Sequence, residues 1–316
     1  MVLMSNDTGF VYHFGGHAPS RTVRPGEEFD VFTEDCFSGK LTSEDGQPRE
    51  VAPFPKVNPL TGPVEIEGVK AGDVIAVRIL SMIPARDWGV ATVSPNFGLL
   101  SGTRLEPNLQ PEQEERVWIW RFAEDRRSLS AKTKSGPALN TDYRPFFGTI
   151  GVAPAHGETR LCVVPGDFGG NLDVPDLGPG ATLYLRANVD GAHLYVGDGH
   201  YAQGDGEMAG TAIEGAFNAR LRVDRVETDA AFEWPRIETE TQTGVVGVGR
   251  PLDSALKVAA TGLVKWISAT TGLDALDAYQ LVSQTATIRI GNVVNPDYTV
   301  LVSISKRTLA EGSVSV

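Results

Sequence analysis

The chain has 316 residues, of which 41% are hydrophobic and 22% charged, which is the composition of a soluble globular protein. Its formal net charge of −12 argues against nucleic acid and anionic membranes as partners. The first residues lack the basic and apolar regions of a signal peptide, and no apolar run approaches the about 20 residues of a membrane helix. We therefore expect a cytoplasmic protein. Its only cysteines, Cys36 and Cys162, indicate no disulfide framework.

Short segments of alternating or β-branched residues stand between turns rich in glycine and proline. They predict strands at residues 29–32, 74–80, 117–122, 160–164, 183–187 and 220–226. Many short strands with such turns favour antiparallel sheets. The predicted fold class is therefore mainly β, with a sandwich or barrel-like architecture.

Helical periodicity is concentrated late in the chain. A helix that Asp253 or Ser254 would cap and Gly272 would end is followed by a second short helix at residues 274–281. The apolar face of the first helix would consist of Leu256, Ala260, Leu263, Val264 and Ile267. Strands are predicted again at 287–290 and 300–304. We expect a β-rich catalytic region over residues 1–230 and a C-terminal α+β region over residues 231–316, packed together as one unit.

The densest set of chemically active side chains lies in VGDGHYAQGDGE, from Val196 to Glu207. Four glycines and three acids around one histidine predict a loop rather than a packed core, because glycine loses much backbone entropy and close acids repel. Asp198, His200, Asp205 and Glu207 would bind a cation, or would place an acid and a base around one small group. An acidic surface hairpin is the alternative.

Three other turns carry more polar side chains than folding needs. The segment TEDCFSG at 33–39 presents Asp35, and PGDFGGNLD at 165–173 presents Asn171 and Asp173. In NPLTGP at 58–63, Pro59 favours an extended conformation for Asn58. Simple turns and a rigid connector are the alternatives. The nucleophile elbow, P-loop, HExxH and CxxC motifs are absent from the sequence.

Together these segments resemble the acetamidase/formamidase family. The matching stretches, in the family's order, are DCFSG near residue 35, NPLTGPVEIEGVKAGDVIAVRIL from Asn58, FFGTIGVAPA from Phe146, PGDFGGNLD from Pro165 and GAHLYVGDGHYAQGDGEMAGTAIE from Gly191. The chain departs from the family after Ser283, where Thr287 stands at a position that tends to hold an acid. If that acid supports the site, the departure implies preference for a different amide.

The resemblance implies a mostly β, cytoplasmic homodimer that hydrolyses the carbon–nitrogen bond of a small amide or lactam and releases ammonia or an amine. It also implies a divalent metal. Zinc is favoured over calcium, because calcium prefers oxygen ligands only.

Amide hydrolysis needs an activated water, a stabilised carbonyl oxygen and a proton for the leaving nitrogen. The residues expected to bind the metal are Asp35, Asp198 and His200. Glu207 is expected to act as acid and base, with Asp35 and His200 as further catalytic residues. The residues expected to bind the substrate are Asn58, Asn171 and Gln203. Two alternatives remain open. One is a metal-free amidase that uses a carboxylate or Cys36, and the other is a non-catalytic, calcium-binding β-sandwich.

Overall fold

The structure is a computed structural model that describes residues 9–101, 113–227 and 232–312. Its strands are β1 His13–Phe14, β2 Arg21–Val23, β3 Glu28–Thr33, β4 Leu60–Ile66, β5 Val74–Pro84, β6 Trp88–Val93, β7 Arg116–Phe122, β8 Ser128–Ala131, β9 Leu139–Asp142, β10 Phe146–Val152, β11 Arg160–Leu161, β12 Gly169–Asn171, β13 Thr182–Arg186, β14 Leu194–Ala202, β15 Ile213–Gly215, β16 Phe217–Val226, β17 Arg236–Glu238, β18 Gln242–Gly249, β19 Thr287–Asn292 and β20 Tyr298–Ser305. The helices are α1 Pro48–Val51, α2 Leu252–Thr271, α3 Ala275–Thr285 and α4 Lys306–Gly312.

Two large sheets form the body of the protein. The first has ten strands in the order β12-β10-β14-β15-β6-β7-β8-β9, with β4 beside β14 and β2 beside β4. The second has eight strands in the order β19-β20-β18-β17-β13-β5-β16-β3. Among the described strands only the β2–β4 pair is parallel. The predicted mainly β class with antiparallel sheets is confirmed. Of the predicted strands, 160–164 is largely wrong, because β11 keeps only Arg160–Leu161.

The two sheets pack against each other through one apolar core. Val31, Val77 and Leu221 come from the eight-stranded sheet and share a buried cluster with Val64 and Ile150 of the ten-stranded sheet. Removal of these side chains from water is the main favourable contribution to folding. The core therefore supports the ten-stranded sheet, which carries most of the polar residues described below.

Strand β14 contains the first part of the segment, from Val196, for which the sequence predicted a loop. All nine of its residues are buried, between β10 on one side and β15 and β4 on the other. Glycine makes this close packing possible: a Cβ at Gly197 would lie 2.5 Å from the carbonyl oxygen of Pro59, and one at Gly199 would lie 2.3 Å from the ring of Phe217. The predicted loop is wrong for residues 196–202, and irregular backbone begins only at Gln203.

The C-terminal helix pair is confirmed, but its first cap is not the predicted one. Helix α2 has Pro251 at its N-cap without a side-chain hydrogen bond, so neither Asp253 nor Ser254 caps it. Gly272 ends the helix in the left-handed conformation, with φ of 78°. Asp274 caps α3 by accepting hydrogen bonds from two backbone N–H groups.

Helix α2 packs directly on strand β18. Ala255, Ala259, Leu263 and Ile267 are buried against the sheet, so the buried face uses small alanines where Leu256 and Ala260 were expected. A Cβ at Gly247 would lie 2.2 Å from the Ala255 carbonyl oxygen. Strand β17 pairs with β13, so the eight-stranded sheet continues across the boundary predicted near residue 230. No helix in the described part of the chain is long and apolar enough to span a bilayer.

Candidate active site

A small space beside Gly148 of β10 is the point on which the functional side chains converge. A Cβ built on Gly148 would lie 2.7 Å from Asp198 Oδ2, 2.7 Å from His200 Cε1 and 2.8 Å from Asp173 Oδ1. Asp198 and His200 are two residues apart on β14 and so share one face of the sheet. Any side chain at position 148 would fill the space that these three groups share.

The walls of this space carry an unusual number of buried acidic groups. The buried donors are Cys36, Asp173, Asp198, His200, Glu207 and Glu214, none of them more than 7% exposed. One donor atom from each of Asp173, His200 and Glu207 lies within 4.8 Å of the others, and the same holds for Cys36, Asp198 and Glu214. Buried carboxylates at such distances need protons or a cation, because charge in a low-dielectric interior is costly.

Four residues of the site have left-handed backbone. The φ angles are 50° at Asn58, 53° at Asp173, 52° at Asp198 and 47° at Glu207. Non-glycine residues with positive φ are uncommon and concentrate at functional sites, where the fold holds them in place. The extended conformation expected for Asn58 before Pro59 is therefore wrong.

The Nε2 atom of His200 faces two carboxylates. It lies 3.5 Å from Asp198 Oδ2 and 3.4 Å from Glu214 Oε2. Neither Nε2 nor Glu214 Oε2 has a hydrogen-bond partner, although both are buried. Two ligands of a tetrahedral zinc ion stand about 3.4 Å apart, as bond lengths of about 2.0–2.2 Å require. The two distances from Nε2 match the spacing of ligands around a divalent ion.

The other ring nitrogen of His200 contacts Gln203. Nδ1 lies 2.9 Å from Gln203 Oε1, and the Gln203 amide nitrogen donates to the Asp173 carbonyl oxygen at 2.9 Å and the Gly291 carbonyl oxygen at 3.0 Å. The sequence predicted Gln203 as a substrate-binding residue. In the structure, its amide contacts the histidine and the backbone.

Burial raises the pKa of three carboxyl groups of the site, those of Asp173, Glu207 and Glu214. It raises the pKa of Glu214 to about 7, against the opposing effect of His200. Burial, followed by the charge of Asp198, raises the pKa of Asp173 well above its usual value. Burial and the charge of Asp173 do the same to the pKa of Glu207. Burial lowers the pKa of His200, but Glu214 and Asp198 outweigh it and raise that pKa.

Asp35 lies in the turn after β3, in contact with an arginine. Its Oδ1 accepts hydrogen bonds from the backbone N–H groups of Phe37 and Gly39, and its Oδ2 accepts one from Arg86 at 2.7 Å. Burial and the charge of Glu34 raise the pKa of Asp35 to about 6, against the stabilising effect of the Gly39 N–H and Arg86. Its oxygens are in neither of the two donor groups described above.

Two asparagines line the space near Thr149. Asn58 Nδ2 lies 3.5 Å from Asn171 Oδ1, and the Thr149 hydroxyl is within hydrogen-bond distance of Asn171 Oδ1 and, at 3.1 Å, of Asp198 Oδ2. Asn58 N–H also donates to the carbonyl oxygen of Cys36 at 3.1 Å. The two predicted substrate-binding asparagines are thus brought together beside Asp198.

The turn between β19 and β20 supplies contacts that the sequence did not indicate. Asn295 Nδ2 donates to Asp173 Oδ2 at 2.8 Å, and Asn292 Nδ2 donates to the Asn171 carbonyl oxygen at 3.5 Å. Asp173 and Glu214 stand in stretches that carry the family resemblance, so the resemblance offered a signal for them. Asn292 and Asn295 lie outside those stretches, and nothing in their spacing marks them.

Comparison with known proteins assigns the chain to a family. The sequence model of the Acetamidase/Formamidase family matches residues 16–160 and 156–305. The chain belongs to this family. A solved structure of an acetamidase from Yersinia enterocolitica has a TM-score of 0.91 and 35% identity, and the match covers 97% of this chain and 92% of that one. For an acetamidase from Bacillus halodurans the TM-score is 0.87 at 28% identity, with 99% and 100% coverage.

The match to a formamidase covers little more than half of either protein. The chain is 24% identical over 237 residues to a formamidase from Methylophilus methylotrophus, and the match covers 59% of this chain and 56% of that protein. The chain therefore spans little more than half of the length of that relative.

Proposed function

We propose that this protein hydrolyses the carbon–nitrogen bond of a small amide and releases ammonia or an amine. The observation that carries the proposal is the convergence of Asp198 and His200 beside Gly148, with Glu214 Oε2 3.4 Å from His200 Nε2. Relatives named acetamidase and formamidase support the amide as substrate class.

A divalent metal ion is part of the proposal. His200 Nε2, Asp198 and Glu214 would hold it, so Glu214 takes the place that the sequence gave to Asp35. Such an ion lowers the pKa of a bound water to near neutral and polarises a carbonyl oxygen. The imidazole among the donors favours zinc over calcium, which prefers oxygen ligands.

Glu207 is the proposed proton carrier. Its raised pKa favours the protonated carboxyl, which is the form that can protonate a leaving nitrogen. A carboxylate whose pKa is raised is also a stronger base toward an attacking water. Its place beside His200 and Asp173 supports both roles.

Asn58 and Asn171 are proposed to orient the amide through its oxygen and nitrogen. The proposed role of Asp35 is indirect. With Arg86 and two backbone N–H groups it fixes the turn that carries Cys36, and the Cys36 carbonyl oxygen in turn accepts from Asn58 N–H. Asp35 would thereby position Asn58 rather than touch the substrate.

One observation favours a second mechanism. Cys36 Sγ lies within 4.8 Å of a carboxylate oxygen of Asp198 and of Glu214, so a thiol nucleophile with a carboxylate base is geometrically possible. Burial and these same acids raise the pKa of the Cys36 thiol well above its usual value, which disfavours the thiolate. Under the metal scheme Cys36→Ala keeps most of the activity, and under the thiol scheme it abolishes it.

The test combines metal analysis with an ammonia- and amine-release assay on formamide, acetamide and small lactams. The proposal expects stoichiometric divalent metal, turnover of at least one amide, and loss of activity with a chelator that zinc restores and calcium does not. Absence of product from every amide, with metal bound, would contradict the proposed reaction and favour the non-catalytic alternative. A homodimer and a cytoplasmic location, which the family resemblance implies, belong to the same proposal.

A further inference from the structure

The side-chain amide of Gln203 is fixed in one orientation by the backbone. Its nitrogen donates to the carbonyl oxygen of Asp173 at 2.9 Å and to that of Gly291 at 3.0 Å. A primary amide has two N–H groups, and both are used here. The atom that faces His200 is therefore the amide oxygen, which can only accept a hydrogen bond.

We infer that Gln203 keeps a hydrogen on His200 Nδ1 and thereby reserves Nε2 as the only ring atom that can exchange a proton or a ligand. Gln203 Oε1 lies 2.9 Å from Nδ1. Two acceptor lone pairs at that distance would repel each other, so Nδ1 must be the donor. Gln203 is then a positioning residue, not a substrate-binding one.

The opposite side of the ring explains why the choice of nitrogen matters. Nε2 faces Asp198 Oδ2 and Glu214 Oε2, and it has no hydrogen-bond partner of its own. In the alternative tautomer, a hydrogen on Nε2 would occupy the position that the proposed ion needs, while the Nδ1 lone pair would point at the Gln203 oxygen. A histidine ligand whose other nitrogen donates to an oxygen is fixed in tautomer and orientation.

The same contact also holds the plane of the ring. Gln203 joins the end of β14 to the backbone after β12 and to β19, and the ring of Phe146 packs edge-on to His200 at a centroid distance of 4.9 Å. His200 is thus held by an amide on one side and an aromatic ring on another. The kinetic consequence of the inference depends on the proposed function, whereas the position of the hydrogen does not.

Two variants distinguish the hydrogen-bond acceptor that Gln203 presents to Nδ1 from the contacts that its amide nitrogen makes with the backbone. Gln203→Glu and Gln203→Met both lose the paired N–H donation to the Asp173 and Gly291 carbonyl oxygens. Only Gln203→Glu keeps an acceptor oxygen opposite Nδ1. A purely structural role predicts that Gln203→Glu is no milder than Gln203→Met, because both lose these contacts and the second carboxylate oxygen would also face the two carbonyl oxygens.

The readout is long-range proton–nitrogen correlation on ¹⁵N-histidine-labelled protein, with His200 among the five histidines assigned by the signals that His200→Gln removes. In the native sequence we expect Nδ1 to be protonated, with Nε2 alone shifting when Zn²⁺ is added. Nδ1 remains protonated in Gln203→Glu and loses its proton in part or fully in Gln203→Met. A native protein with unprotonated Nδ1, or identical Nδ1 signals in both variants, overturns the inference. This measurement uses no substrate, so its result is independent of the outcome of the amide assay.

Kinetics provide the second reading. We expect Gln203→Met to lower kcat/KM by about 10- to 100-fold, mainly through kcat, and Gln203→Glu to retain more of it. Gln47→Met is the matched control, since Gln47 is exposed and caps α1 without a side-chain hydrogen bond. An active amidase whose kcat is equal in the two Gln203 variants would count against the acceptor role.

Discussion

At the scale of single residues, Glu207 offers the sharpest test of proton transfer. Its carboxyl is buried, lies with Asp173 and His200, and has a pKa raised by burial and by Asp173. Glu207→Gln keeps the shape but removes the exchangeable proton. We expect kcat to fall by about 10²- to 10⁴-fold while zinc content stays unchanged, as measured by ammonia release and elemental analysis.

The control for this variant is Asp205→Asn, in the same loop. Asp205 is 52% exposed and its carboxylate lies 3.4 Å from Arg289, away from the buried donors. The amide at this position should change kcat by less than about twofold, as is usual for surface substitutions. Equal losses in both variants would mean that the loop, and not the Glu207 proton, limits the reaction.

Gly148 is the residue that keeps the site open. In Gly148→Ala the new methyl group would meet Asp198, His200 and Asp173 within 2.8 Å. Because displacement of catalytic groups by about 1 Å can cost about 10²-fold, we expect at least that loss of activity together with weaker zinc binding in equilibrium dialysis. Gly204→Ala, where a methyl group meets nothing within 4 Å, should retain both properties. Full activity in Gly148→Ala would show that substrate binds elsewhere.

At the scale of elements, the contact between α2 and β18 depends on a residue without a side chain. In Gly247→Ala the methyl group would lie 2.2 Å from the Ala255 carbonyl oxygen and 2.4 Å from the Ala259 nitrogen, so the helix must move. We expect the free energy of unfolding to fall by about 3 kcal/mol in urea titration. Gly249→Ala, with its nearest contact at 3.2 Å, is the milder control. We expect the folded fraction of this variant to keep its activity. A loss of activity larger than the unfolded fraction accounts for would show that the contact also affects the site.

Element β14 shows where sequence patterns reach their limit. Its composition resembles a loop because Gly197 and Gly199 alternate with Asp198 and His200. In the sheet, the glycines admit close neighbours on one face and the polar residues form the site on the other. Local composition shows that glycine is present. It does not show whether the glycine serves a turn or the close approach of a neighbouring strand.

At the scale of the whole molecule, the buried acids link stability to pH. The pKa of Asp35 is raised from 3.8 to about 6, and that of Glu214 from 4.5 to about 7. A group with a higher pKa in the folded chain binds more protons when folded, so stability falls as pH rises between the two values. The raised pKa of His200 acts in the same direction, since its contribution is lost as pH rises through the folded value.

We therefore expect metal-free protein to melt at least about 5 °C higher at about pH 5 than at about pH 8. A divalent ion competes with the same protons, so zinc should raise Tm more at the higher pH. Calorimetry with and without zinc at both pH values measures the effect. A Tm of metal-free protein that rises from pH 5 to pH 8 would contradict the assigned shifts.

The strand pattern and the family resemblance allowed the class of the fold and most side chains of the site to be predicted. Periodicity located strands such as β5 and β16 because one face of each is apolar. The pairing of Asp35 with Arg86, and of Asp173 with Asn295, joins residues distant in the chain, and only the assembled sheets bring them together. The roles proposed for Asp35 and Gln203 depend on such pairs and could not be derived from local sequence.

The segment from Gly291 to Asn295 has a consequence for the order of synthesis. Gly291 is made 88 residues after Gln203, and Asn295 is made 122 residues after Asp173. A growing chain therefore contains both β10 and β14 before the groups that hold Gln203 and Asp173 exist. A chain that stopped short of β19 would lack both contacts, and its candidate site would be incomplete.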